Sequence, residues 1–347
     1  MIIETVTDPA LTFFCELEAN DLEALFADPN VTLQLQKMGA GVSMGLLDLS
    51  DQRAAVVRHL NELGIPVTAW LLLPKEQGYW FNLDNFSEAV SFYGRFREWV
   101  GRCQIHFSTI GLDIEPDIRD MNAVLHRNGS AIRNLVKRTL NRRRLQMAQM
   151  AYTHLVMMIK ADGYRVESYQ FPIIADERKT GSTLIQRSMG VIDIPVDREV
   201  LMLYSSFLGG AGMLWSYAPD AQGIGVGSTG GGVELEGIGT APVMNWHELR
   251  RDLLLAYQYT SAIYIYSLEG CVQQGILDQV ADLNWEQPVA VPIQASRRVD
   301  GIRLLGQSFL WLAARPLIVL AAILGISWLF HDTGGNSSCT KHGCSCR

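Results

Sequence analysis

From Leu11 to Glu269 the chain alternates short apolar runs with amphipathic stretches, and this rhythm restricts the fold more than any single residue does. The runs lie near Leu11–Leu17, Val42–Leu47, Pro66–Leu73, Ile105–Ile114, Arg165–Ile173, Val200–Phe207, a weaker one within Gly223–Gly227, and Ala262–Leu268. Between them, helix-period segments are expected over Asp21–Ala27, Ser50–Glu62, Asn85–Val100 and Trp246–Tyr257, and a longer stretch over Met121–Ala161 is expected to break near Gly129 or Asn141. Strand followed by helix, repeated, builds a parallel sheet. Eight repeats predict an α/β protein with a closed (β/α)8 barrel, which takes roughly 250 residues. Residues 1–290 supply that length, and the 48% hydrophobic content of the 347-residue chain is enough to fill it.

Reactive groups of such barrels sit at the carboxyl ends of the strands. The polar residues closing each apolar run therefore form the candidate site. The first run ends with Glu16 and Glu18, the second with Asp48, the third with Trp70 and the segment Lys75 to Trp80. The fourth ends in Gly111-Leu112-Asp113-Ile114-Glu115-Pro116-Asp117, the fifth offers Tyr169 and Gln170, the sixth Tyr204, and the eighth Glu269. On an extended strand, residues two apart share a face. Asp113, Glu115 and Asp117 would then crowd one another, which is costly unless a proton, metal or substrate answers them. Asp117 also suits the cap of the helix that follows, and Glu269 could cap Cys271–Leu283.

A proton-donating acid, a second carboxylate and aromatic platforms are what cleavage of a glycosidic bond requires. Trp70, Tyr79, Trp80 and Trp215 are the aromatic candidates. The run Gly111-Leu112-Asp113-Ile114-Glu115 resembles part of the signature of family 18 chitinases, and Met202-Leu203-Tyr204 resembles that family's sixth-strand element. Glu115-Pro116 is similar to the fourth-strand ending of the retaining glycosidase clan, with Glu269 as the later partner. Ile110, Pro116, Ser205 and Ile114 stand where those patterns carry other residues. The resemblance implies hydrolysis or transfer at a glycosidic bond of an oligo- or polysaccharide. In it Glu115 is the acid/base, Glu269 the nucleophile or second carboxylate, Asp113 a tuning neighbour and Tyr204 a donor to the sugar. Glu16, Trp70, Trp80, Gln170 and Trp215 would bind substrate. The alternatives are a catalytically silent barrel that binds a glycan or protein partner, and a barrel using Glu16, Asp113, Glu115 and Glu269 as metal-binding oxygens.

No metal or cofactor is expected: the histidines do not end strands, and no phosphate-binding loop, nucleophile elbow or dinucleotide fingerprint follows a strand. A net charge of −7 disfavours nucleic acid and suits a neutral or cationic substrate. The glycine-rich stretch Gly209 to Gly239 reads as a loop at the barrel mouth. Beyond the barrel, residues 291–308 read as a basic linker and the apolar run Phe309–Phe330 as a membrane anchor helix. Residues 331–347 form a tail with Cys339, Cys344 and Cys346. Basic residues before the run, with no export signal, place the barrel in the cytoplasm in this reading.

Overall fold

The computed structural model describes residues 9–119, 138–207, 209–232 and 242–318. Eight parallel strands close a barrel in chain order: β1 Ala10–Cys15, β2 Gly41–Leu46, β3 Val67–Leu71, β4 Thr109–Ile114, β5 Arg165–Gln170, β6 Arg198–Met202, β7 Gly223–Gly227 and β8 Ala262–Tyr266. β8 pairs back onto β1 through the register Leu11 to Ile263, Phe13 to Ile265. The expected (β/α)8 barrel is therefore the fold.

The helices pack outside it: α1 Ala19–Phe26, α2 Pro29–Met38, α3 Asp51–Glu62, α4 Phe86–Cys103, α5 Arg142–Ala161, α6 Ile173–Thr180, α7 Leu184–Met189, α8 Gly210–Tyr217, α9 Trp246–Tyr257, α10 Leu268–Gln273, α11 Leu277–Ala281 and α12 Ile293–Ala314. Their starts follow capping chemistry. Ser50 accepts the Arg53 N–H at α3, Asn141 accepts the Arg144 N–H at α5, and Asn245 with Glu248 forms a capping box at α9. The helix expected over Cys271–Leu283 is instead two short ones, interrupted at Gly275 with φ +64°.

Strand alternation divides the core into two layers. Residues such as Phe13, Val42, Leu112 and Ile263 face outward and pack beneath the helices. Phe14, Trp70, Tyr169, Met202 and Tyr264 face inward and fill the lumen. Large rings need small partners there. A Cβ on Gly111 would collide with the Tyr169 ring, and Gly223 and Gly225 of β7 leave room for Tyr264 and Tyr204.

The carboxyl-terminal part corrects the expected layout. Residues 293–308, taken as linker, belong to α12, which docks on α6 and α8 because Arg303 ties them together. Its guanidinium donates to Asp176 at 2.7 Å and Asp220 at 2.6 Å, and stacks 3.7 Å from the Tyr217 ring centroid. Residues 309–314, taken as the start of a membrane helix, continue α12, which ends before Arg315; that side chain donates to the Thr180 carbonyl at 3.1 Å. Among the described residues no helix is long and apolar enough to cross a membrane. Residues 319–330 and the cysteine-containing tail lie outside the described residues.

Candidate active site

Glu16, the residue after β1, is the hub of the barrel mouth. Its Oε2 accepts the Tyr266 hydroxyl at 2.7 Å and its Oε1 accepts the Tyr79 hydroxyl. Tyr266 is the last residue of β8. Tyr79 arrives on the loop 72–85, which is clamped beside β4: the Phe81 N–H donates to the Asp113 carbonyl at 2.9 Å, and the Glu115 N–H to the Phe81 carbonyl at 3.2 Å. Asn85 Nδ2 fixes the same loop from within through the Trp80 carbonyl at 2.8 Å. Two tyrosine donors on one carboxylate suit a negative charge, since hydrogen bonds to an ionised acceptor are stronger than neutral ones. Burial and the charge of Glu16 push both phenols up, so they remain neutral donors.

Beside Glu16 stand Asp113, inward on β4, and Glu115, one residue past the strand. Asp113 is 3% exposed; the Trp70 indole N–H donates to its Oδ2 at 3.1 Å, while Oδ1 is buried with no such donor. Burial, then the charges of Glu115 and Glu16, hold Asp113 well above the usual carboxylate range. Burial and Glu16 push Glu115 up to about 8, against the hydrogen bond from Asp113. Neighbouring carboxyl groups that cannot both ionise cheaply keep a proton between them. Glu115 is half-buried. Tyr204, two residues beyond β6, lies 5.7 Å from Tyr266 between ring centroids, and burial with the surrounding acids raises its hydroxyl.

Glu269 occupies a different position. It sits in the first turn of α10, 2% exposed, and its Oε1 accepts the Glu16 N–H at 3.3 Å. Gly231 lies against it so closely that a Cβ there would stand 2.6 Å from Oε1. Burial raises Glu269 to about 7, against the N–H groups and Ser267 that favour its charge, and Glu16 adds to the rise. Cys15 contacts Glu269 and is raised chiefly by its own burial. Beyond their effect on each other, Glu16 is the acid that most raises Glu115 and Asp113.

The other candidates separate cleanly. Trp70 lies in the lumen beneath Asp113, and Trp80 packs edge-on against Tyr79 at 5.3 Å. Gln170 points outward from β5, where it donates to the Ile192 carbonyl at 2.9 Å, and so cannot meet substrate at the mouth. Trp215 stands on α8 against Tyr259 at 4.9 Å, in the helix layer. Both were expected at the mouth, and parity on the strand and position on a helix take them away from it. Asp48 is bound at 2.7 Å by Arg53, which is fully buried, and Asp117 accepts the Arg119 N–H at 2.8 Å as a turn cap. Tyr266 was not singled out, although its place two residues after the lumen residue Tyr264 marks it as inward. Among the described residues no group of three histidine, cysteine, aspartate or glutamate side chains is placed to hold a metal ion.

Comparison with protein-family models and with curated proteins gives no match. Solved structures of similar shape include the PgaB (BpsB) glycoside hydrolase domain from Bordetella bronchiseptica, at 10% identity and TM-score 0.47, covering 81% of this chain and 100% of that one. A xylanase and amylase inhibitor protein, XAIP-III, aligns at 10% identity and TM-score 0.44 over 80% of this chain and 99% of its own. An L-ribulose 3-epimerase aligns at 12% identity and TM-score 0.43 over 91% and 98%.

Proposed function

We propose that the barrel hydrolyses or transfers a glycosidic bond, with Glu115 as the acid/base and Glu16 as the second carboxylate. The observation that supports this reading is the buried carboxyl pair Asp113 and Glu115, both held above the usual carboxylate range, beside Glu16, which accepts two tyrosine hydroxyls. One acid holds a proton near neutral pH and another is furnished with donors that suit charge, the division of labour glycoside cleavage uses. Glu115 delivers its proton to the leaving oxygen and later recovers it from water. Burial and the charge of Glu16 sustain the raised proton affinity of Glu115, the hydrogen bond from Asp113 tempers it, and Tyr204 donates to the sugar. Glu269, the second carboxylate in the sequence resemblance, is better suited to bracing Glu16 through the Glu16 N–H, because the glycine loop packs against it.

The test is release of reducing ends from a panel of oligosaccharides by the full chain. Glu115→Gln is expected to lower turnover by on the order of 10²–10⁴, the contribution of a positioned acid/base. Full activity of Glu115→Gln on every responsive glycan would overturn the assignment. Glycan binding by the unaltered protein without turnover on any member would favour the silent, glycan-binding barrel.

A further inference from the structure

The acids of the barrel mouth are answered in two different ways. Those at the rim are neutralised by arginine: Asp48 by Arg53 at 2.7 Å, Asp117 by Arg119 at 2.5 Å, and Asp84 by Arg144. Among the described residues no arginine or lysine pairs with Asp113 or Glu115: the groups that act on them most are burial, each other, Glu16 and the Trp70 indole. Lys75 and Arg119 are the basic side chains of the described strand-end loops; Lys75 is exposed on a short turn, and Arg119 is committed to Asp117 and the Glu76 carbonyl. Asp113 Oδ1 is buried, inward-facing and without a hydrogen-bond donor, although the lumen supplies one to Oδ2.

We infer that the glycan taken by this site carries a protonated amine, as a 2-amino-2-deoxy sugar does, and that Asp113 and Glu115 receive it. A buried carboxylate needs a positive partner or a proton. The unliganded pair uses a proton, and an arriving ammonium can take its place at Asp113, donating to Oδ1 while the proton stays on Glu115 for the leaving oxygen. The walls suit the same ligand, since Tyr204 and Tyr266, half-buried rings at the mouth, can meet both a pyranose and a cation. An acetamido group has no charge with which to replace that proton. This inference rests on the glycan-processing reading of the same site.

Calorimetry and product analysis on the full chain, using glucosamine tetramer and N-acetylglucosamine tetramer as matched probes, separate the two. The amine oligomer is expected to bind at least about 10-fold more tightly, and the double substitution Asp113→Asn with Glu115→Gln is expected to bring the two to parity, while Asp48→Asn at the rim leaves the preference intact. Equal or tighter binding of the acetylated oligomer overturns the inference, as does absence of amine binding at millimolar concentration. Preferred cleavage of the acetylated oligomer removes the amine and leaves glycoside cleavage standing. Preferred binding of the amine oligomer without cleavage keeps the amine and removes the hydrolase. The preference of the unaltered protein decides the matter even if the double variant fails to fold.

Discussion

Two ends of one barrel lumen bury acids in opposite ways. At the amino-terminal end Glu167 is 4% exposed, and both oxygens are answered, by the Tyr169 hydroxyl at 2.8 Å and the Tyr264 hydroxyl at 2.7 Å. Ser43 completes that cluster through Tyr169 at 2.6 Å. At the carboxyl-terminal end Asp113 Oδ1 and Glu269 Oε2 are buried without donors. The same strands build both ends, so the difference does not come from the fold. Burying an acid without full compensation costs stability, and proteins accept that cost chiefly where a ligand will repay it. The floor is structural polarity, and the mouth is polarity held in reserve.

Substitutions should divide along that line. The largest effect is expected at the mouth: Asp113→Asn should lower turnover by on the order of 10²–10⁴, as Glu115→Gln does, while leaving the melting temperature unchanged or raised. At the floor, Glu167→Ala leaves two tyrosine hydroxyls to find new partners and should cost about 1–3 kcal/mol for each left unsatisfied, read by chemical denaturation, with turnover of the folded protein retained. Loss of stability at Asp113 with turnover kept would reverse the comparison. Between the two ends, Gly111→Ala drives a methyl group into Tyr169 and should cost about 1–3 kcal/mol by overpacking.

The smallest expected effect is on stability against pH. Glu115 and Glu269 are raised to about 8 and about 7, above the ordinary glutamate value of 4.5, so the folded protein binds more protons than the unfolded chain between those values. Stability from these groups is complete below pH 4.5 and is lost as pH rises through 7 to 8. Melting temperature should therefore fall from pH 5.5 to pH 8.5, and the slope should flatten in the double variant Glu115→Gln with Glu269→Gln. An unchanged slope would mean that the mouth acids titrate normally.

The barrel was legible because periodicity reports burial. Each apolar run overlaps its strand, β1, β2 and β6 starting one or two residues before theirs, with β7 Gly223–Gly227 and α9 Trp246–Tyr257 matching the expected bounds. β7 looked weak because its inward positions are glycines, whose function is to make room for rings on other strands. α2 escaped notice, since Val31 and Leu35 are a sparse apolar stripe in a polar decapeptide. Residues near strand ends were legible as a set, but their orientation was not. Parity places Gln170 outside and Tyr169 inside, and no local pattern tells that the loop carrying Tyr79 folds back to Glu16. That contact joins residues 63 positions apart and depends on the bridge from Phe81 to Ile114. For the same reason the sequence pairs Glu269 with Glu115 and does not reveal that Glu16 acts on Glu115 while Glu269 accepts the Glu16 N–H.

The central claim is that the mouth keeps a proton between neighbouring carboxyl groups, whereas the floor answers its acid, also raised by burial, with two tyrosine hydroxyls. Carboxyl carbon resonances of the full chain, followed through a pH titration, test it most directly. One glutamate is expected to titrate near 8 and to vanish from the spectrum of Glu115→Gln, with an aspartate responding in the same step and shifting when Asp113→Asn is introduced. Titration of Asp113 and Glu115 in the ordinary range near 4 would contradict the account.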